Sequence, residues 1–149
     1  MLYCVSLAEG AKLPTVSHPG EDLGYDIYAL DAAVLYPGVV TKVRTGISAR
    51  FVDDSNNVFV TVYGLLFRDR SSIASLGITV SGGVIDAGYT GELIVLLTNH
   101  NTRSYTVEAG AKIVQMIPTV VQTVHGVADW VSELPASSRA AKGFGSSGK

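Results

Sequence analysis

At 149 residues and 47% hydrophobic content, the chain has room for one compact domain that buries its core without disulfides, and none for a second. Eleven Lys and Arg against thirteen Asp and Glu leave a net charge of -2, which excludes whole-surface attraction to nucleic acid or to an anionic membrane. Any anion site must be local. The single cysteine, Cys4, excludes an internal disulfide framework, and His18, His100 and His125 lack metal-ligand spacing, so a reducing, intracellular setting fits.

In chain order, residues 1–7 form an apolar run too short for a signal-peptide core, and Glu9, Gly10 and Lys12 soon end it; this reads as a first strand. Val34-Leu35-Tyr36 stops at Pro37-Gly38, and residues 39–47 read as the next strand. Asp53-Asp54-Ser55-Asn56-Asn57 is a turn cluster, which predicts a hairpin between residues 51–52 and 58–59. Leu93-Ile94-Val95-Leu96-Leu97 is continuously apolar, as in a strand covered on both faces, and residues 100–104 turn the chain back into a return strand over residues 105–108. Residues 113–117 are a further apolar strand with one anomaly, Gln115. Only residues 71–76, and less clearly 128–134, suit a helical turn. Trp130 reads as an apolar contact beside Val127 and Val131, and no apolar window approaches the roughly 18 residues of a membrane span.

Short β-rich segments separated by Gly, Asp, Asn and Pro clusters predict an all-β sandwich or barrel over residues 1–134. From Pro135 the composition turns to Ser, Ala, Gly and Lys with Phe144 the only large apolar residue, so residues 135–149 read as a mobile tail.

Four segments could carry chemistry. Asp86 ends Gly82-Gly83-Val84-Ile85 and precedes Ala87-Gly88-Tyr89; it is either a turn residue or a carboxylate tuned at a hairpin rim to take a proton from water. Arg70-Ser71-Ser72, after Arg68 and Asp69, offers a cation and two hydroxyls to phosphate oxygens, or else a helix cap beside a solvated Arg. The tail from Arg139 to Gly148 combines Arg139, Lys142, glycines, Ser146, Ser147 and Phe144, which suits a phosphate cradle that stacks on a base; a disordered Gly/Ser tail has the same composition. Gly24-Tyr25-Asp26 places a carboxylate that is either a turn residue or an outer-sphere magnesium contact.

Taken in order, these segments resemble the five motifs of the trimeric deoxyuridine triphosphatase (dUTPase) family, over nearly the whole chain. Leu23-Gly24-Tyr25-Asp26 resembles the first motif and Asp69-Arg70-Ser71-Ser72 the second. Residues 83–91 resemble the third, Gly110-Ala111-Lys112-Ile113-Val114-Gln115 the fourth, and residues 139–148 the fifth. The third and fifth are the most specific. The resemblance implies a jelly-roll-like β-barrel of the dUTPase type with little helix. It also implies a homotrimer whose active sites lie between subunits, with the fifth motif reaching across from a neighbour. The implied reaction is Mg²⁺-assisted hydrolysis of dUTP to dUMP and pyrophosphate, which limits uracil in DNA and supplies dUMP for dTMP synthesis, in the cytoplasm or in a eukaryotic or virus-infected nucleus.

By the same resemblance, Asp86 activates the attacking water and Asp26 holds waters on the triphosphate-bound Mg²⁺. Arg70, Ser71, Ser72 and Gln115 bind phosphates or water. Backbone at Gly83, Val84 and Ile85 pairs with the uracil edge, Ile94 lines its pocket, and Tyr89 packs under the deoxyribose and excludes a 2′-hydroxyl. Phe144 caps the base, while Arg139, Gly145, Ser146 and Ser147 close over the phosphates. The chain departs from the family pattern at Leu23, Asp69, Lys112, Ala140 and Lys142; Asp69 puts a negative charge beside Arg70, which it could orient. Two other readings differ in what they need. A deoxycytidine triphosphate deaminase of the same fold needs a glutamate where alignment on Gly91 and Asn99 places Leu96, and an inactive β-fold binding module needs none of Asp86, Tyr89, Arg70 or Phe144.

Overall fold

The structure, a computed structural model, describes residues 1–52, 62–121 and 130–133. Among these are eleven strands: β1 (Leu2–Ser6), β2 (Tyr25–Tyr28), β3 (Ala33–Leu35), β4 (Val40–Arg44), β5 (Ile47–Phe51), β6 (Tyr63–Asp69), β7 (Ile78–Ser81), β8 (Val84–Ile85), β9 (Ile94–Asn99), β10 (Tyr105–Val107) and β11 (Lys112–Val120). One short helix, α1 (Ser71–Ala74), lies where the sequence suggested a helical turn. The expectation of an all-β fold with little helix holds.

The largest sheet runs in the order β2-β11-β6-β8, a second runs β4-β9-β7, and two-stranded pairs β1-β5 and β10-β3 complete the shell. Every named pairing is antiparallel. Between them Ile27, Leu35, Val43, Leu93, Val95, Leu97, Ile113, Val114 and Met116 are almost wholly buried. Burial of this kind, at about 25 cal/mol per Å² of apolar area, is what holds the sheets together.

Several local expectations need correction. Residues 39–47 are two strands in different sheets. Gly46 takes a left-handed φ of 70°, and the Thr45 hydroxyl donates to the Leu93 carbonyl at 2.6 Å, so the chain turns out of the β4 sheet there. Residues 105–107 do not return along β9 but pair with β3. The buried Asn99 side chain explains the diversion: its Nδ2 donates to the carbonyls of Leu35, at 2.9 Å, and Arg103, at 2.8 Å, which ties the turn to β3. β9 itself alternates, with Val95, Leu97 and Asn99 buried and Ile94, Leu96 and Thr98 half-buried, so only one face meets the core. Trp130 is 99% exposed, and Val127, one of its two expected neighbours, lies outside the described residues. The predicted turn at residues 53–57, most of the 128–134 segment and the whole tail from Pro135 lie outside the described residues.

β11 extends beyond the predicted segment, from Lys112 through Pro118 to Val120. Its pairing with β2 ends at Met116, so Pro118 lies where that side of the strand is open and its missing N–H breaks no bond to β2.

Candidate active site

The register of the large sheet explains Gln115. It stands opposite Asp26 of β2 on one side and Arg68 of β6 on the other, and paired residues share a face, so a polar row of Asp26, Gln115 and Arg68 crosses three strands. Leu66 lies two residues along β6 from Arg68, and its β8 partner is Val84, so Val84, 72% exposed, stands on that same face.

Asp26 is the centre of a tight ionic cluster. Its side chain is buried, Oδ1 accepts from Arg70 Nε at 2.8 Å, and Oδ2 meets Lys112 Nζ at 2.7 Å. Arg70 Nη1 reaches the Ser72 hydroxyl at 3.2 Å, and Lys112 Nζ also lies 6.0 Å from the centre of the Tyr28 ring. Burial pushes the Asp26 carboxyl up, but the bonds from Lys112 and Arg70 outweigh it and hold the group below its usual range; the Asp26 bond in turn raises Lys112. The two shifts agree. A depressed carboxyl contributes stability above its unfolded pKa of about 3.9, and that contribution is lost as pH falls through the lower folded value. In Asp26→Asn, stability should therefore vary less with pH below about 4 than in the parent, which urea midpoints across pH 2–5 measure; parallel curves would show that the pair carries no linkage.

Asp69 does not orient Arg70. Its Oδ1 accepts the Val80 N–H at 2.6 Å, joining β6 to β7, and Asp26 does the orienting instead. Ser71 and Ser72 are exposed at the start of α1, directly after Arg70, whose extended backbone (φ -81°, ψ 138°) ends the strand direction and opens the helix. Arg70, Ser71, Ser72, Gln115 and Asp26 are thus brought together, and the predicted set omitted Lys112, which the sequence offered only as a departure from arginine.

The second group lies on the hairpin from Gly83 to Glu92. The Gly83 carbonyl accepts from Phe67 N at 2.7 Å, and a Cβ on Gly83 would come within 2.6 Å of the Phe67 carbonyl oxygen, so only glycine lets β8 approach β6 this closely. Because β8 is the last strand of its sheet, its outer edge has no neighbouring strand among the described residues to take up backbone N–H and C=O groups. Asp86 is exposed, and its carbonyl accepts from Tyr89 N at 3.0 Å to close the turn. Tyr89 is 44% exposed, with its hydroxyl donating to the Glu92 carbonyl at 2.9 Å. Ile94 begins β9 opposite Arg44, on the same face as Leu96, whose Cδ1 would be 3.4 Å from a Cβ on Gly82. Gly83, Val84, Ile85, Asp86 and Tyr89 therefore follow one another on a single hairpin, with Val84 turned outward, Ile85 packed against the core, and Ile94 on the strand that follows.

The far ends of the two groups, Asp86 and Arg70, are well separated within one chain, although Gly83 and Val84 stand beside Phe67 and Leu66. Leu65 opposes Ile85 and Leu66 opposes Val84, so Asp86 falls opposite Gly64. Arg70 is six residues further along, about 20 Å at the rise of a strand. Arg139, Phe144, Gly145, Ser146 and Ser147 lie outside the described residues. Among the described residues no cluster of three or more His, Cys, Asp or Glu could hold a metal ion. Asp26 is the acidic side chain at the centre of the Arg70 group; Oδ1 accepts from Arg70, Oδ2 from Lys112 and, at 3.5 Å, from the Ser17 hydroxyl, and the carboxylate still keeps acceptor capacity for a water. That fits an ion carried in by a ligand and touched through water.

The chain is similar to known proteins over nearly its whole length. A family model described as dUTPase matches residues 9–148. A deoxyuridine 5'-triphosphate nucleotidohydrolase of Solibacter usitatus is 38% identical over 144 residues, covering 93% of this chain and 90% of its own. One from Gloeobacter violaceus is 39% identical over 147 residues, covering 95% and 92%. The solved structure of a Staphylococcus bacteriophage 80alpha dUTPase with dUPNHPP superposes with a TM-score of 0.83 at 26% identity, over 100% of this chain and 99% of that one. The motif match in sequence, the nearly all-strand fold and these likenesses converge, and the chain belongs to the dUTPase family.

Proposed function

We propose that the protein hydrolyses dUTP to dUMP and pyrophosphate at sites shared between chains of a homotrimer. The observation that carries this reading is the division of labour within one chain: an exposed hairpin suited to a base and a sugar, whose Asp86 end lies about 20 Å along β6 from an Arg70-centred cluster suited to phosphates. A deoxynucleoside triphosphate needs both, so the hairpin of one chain serves the cluster of a neighbour. That relatives are named for dUTP, and that one was solved with a dUTP analogue, supports the choice of base.

In this reading the free edge of β8 at Gly83, Val84 and Ile85 pairs with the uracil edge, with Ile94 beside the ring. Tyr89 lies under the deoxyribose and leaves no room for a 2′-hydroxyl. Arg70, Ser71, Ser72 and Gln115 hold phosphate oxygens, and Lys112 adds charge from behind Asp26. Asp86 takes a proton from water as its oxygen attacks the α-phosphorus, the bond from that phosphorus to the αβ-bridging oxygen breaks, and pyrophosphate leaves with the electron pair. Asp86 is exposed in the single chain, so its desolvation comes from the substrate, the neighbouring chain and the tail. Asp26 would be the residue that holds, through water, a Mg²⁺ bound to the triphosphate, and the ion would supply neutralisation of phosphate charge. The tail, through Phe144 over the base and Arg139, Gly145, Ser146 and Ser147 over the phosphates, closes the site. The product dUMP would feed dTMP synthesis, and removal of dUTP would limit uracil in DNA inside the cell.

Purified protein incubated with Mg²⁺ and dUTP, dCTP, dTTP or UTP should release pyrophosphate from dUTP alone. Ammonia from dCTP, or no turnover of dUTP, overturns the proposal. Truncation after Ser138 should lower kcat for dUTP by roughly 10²-fold or more, since water exclusion and closure are lost, while sizing by light scattering still gives a trimer. A truncated protein that is monomeric would assign the tail to assembly instead.

A further inference from the structure

The Tyr89 ring is held by a clamp whose anchoring residues, Arg44, Gly46 and Glu92, lie outside the five motifs. Tyr89 sits between Gly88 and Gly91, which leave the backbone around it unusually free. The ring lies against Gly91, where a Cβ would come within 2.5 Å of the Tyr89 hydroxyl oxygen, and its hydroxyl reaches the Glu92 carbonyl. What fixes that carbonyl is the rest of Glu92. Its side chain is 21% exposed, with Oε1 accepting from the Gly46 N–H at 2.9 Å and the Arg44 Nε bridging Oε1 at 3.2 Å and Oε2 at 3.3 Å. On either side Leu93 N donates to the Ile47 carbonyl at 2.8 Å and the Ser48 hydroxyl donates to the Thr90 carbonyl at 2.9 Å. The turn between β4 and β5, made possible by Gly46, is therefore the base on which the Tyr89 hairpin rests.

We infer that Glu92, held by Arg44 and the Gly46 N–H, is the positioning residue that sets the Tyr89 ring and thereby the discrimination between deoxyribose and ribose. The inference rests on the proposed role of Tyr89. A ring held through one carbonyl between two glycines moves when that carbonyl moves. A displacement of about 1 Å is enough to change how a neighbouring group fits. Losing Arg44 weakens the same clamp from its other side, without touching the hairpin backbone.

Two readouts on Glu92→Ala and Arg44→Met test this. The first is the NMR signature of the Tyr89 ring in nucleotide-free protein, assigned by comparison with Tyr89→Phe. The second is the ratio of kcat/KM for dUTP to that for UTP. Both variants should shift the Tyr89 ring signals, and the ratio should fall about tenfold in Glu92→Ala and less in Arg44→Met. A fall in kcat/KM by one common factor for both nucleotides with the ring signals unmoved would mean a merely structural role and overturn the inference. Unmoved ring signals in both variants would also overturn it. If the ring moves and the ratio does not, or if wild-type protein shows no preference between the sugars, the clamp stands and the sugar-reading role of Tyr89 falls.

Discussion

Replacing Asp86 with Asn should lower kcat for dUTP by roughly 10²–10⁴-fold while leaving binding of a non-hydrolysable dUTP analogue within a few-fold of wild type, the contribution expected of a general base. The substitution keeps size, polarity and the turn: the hydrogen bond that closes it uses the Asp86 carbonyl, not the carboxylate. Its side chain is exposed, so the fold should be nearly unaffected and the thermal midpoint unchanged. Loss is then assignable to proton transfer. Near wild-type turnover in Asp86→Asn would remove Asp86 from the mechanism, and loss of analogue binding in step with kcat would make it a binding group instead. Quench-flow turnover with dUTP and titration with the analogue provide the two numbers.

Arg70→Ala should lower kcat/KM for dUTP by roughly 10²–10³-fold, because a positioned cation facing developing phosphate charge is lost. The cluster of Asp26, Arg70 and Lys112 carries one net positive charge, and without Arg70 it carries none. Lys112 would be the one cation left on Asp26, so part of the Lys112 charge that the phosphates could feel becomes tied to that carboxylate. Arg70→Lys should recover part of the loss, because it restores the charge without the planar fork that bonds Asp26 and Ser72 together. Steady-state kinetics at saturating Mg²⁺ distinguish the cases, and equal activity in Arg70→Ala and wild type would place phosphate binding elsewhere.

The parts that were legible in the sequence are those made by neighbours in the chain. The hairpin string from Gly82 to Glu92 and the Arg70-Ser71-Ser72 turn hold their residues together by local geometry, and the structure places each as a unit. The hidden parts depend on pairing. Nothing near Asp26 in sequence announces Arg70, which is 44 positions away, yet the two form the central ion pair. The role of Asp69 is hidden in the same way, because its partner is the Val80 backbone on another strand. Gln115 was marked as an oddity in an apolar strand, and only the β2-β11-β6 register shows that it completes a polar row. The division of residues 39–47 was signalled by Gly46 alone, and a single glycine does not say which sheet each half will join. The choice of β3 as partner for β10 rests on Asn99, a buried polar residue whose hydrogen-bond partners no local pattern reveals.

Mixing two inactive proteins tests most directly whether the site is shared between chains. Asp86→Asn supplies an intact Arg70 cluster and Arg70→Ala supplies an intact hairpin; each alone should be nearly silent on dUTP. After co-refolding at equal concentration, random assembly gives roughly a quarter of the sites a wild-type hairpin from one chain and a wild-type cluster from the next, so about a quarter of wild-type activity should return. Activity that stays at the sum of the two separate variants, in mixed oligomers verified by mass spectrometry, would mean that each chain builds its own site.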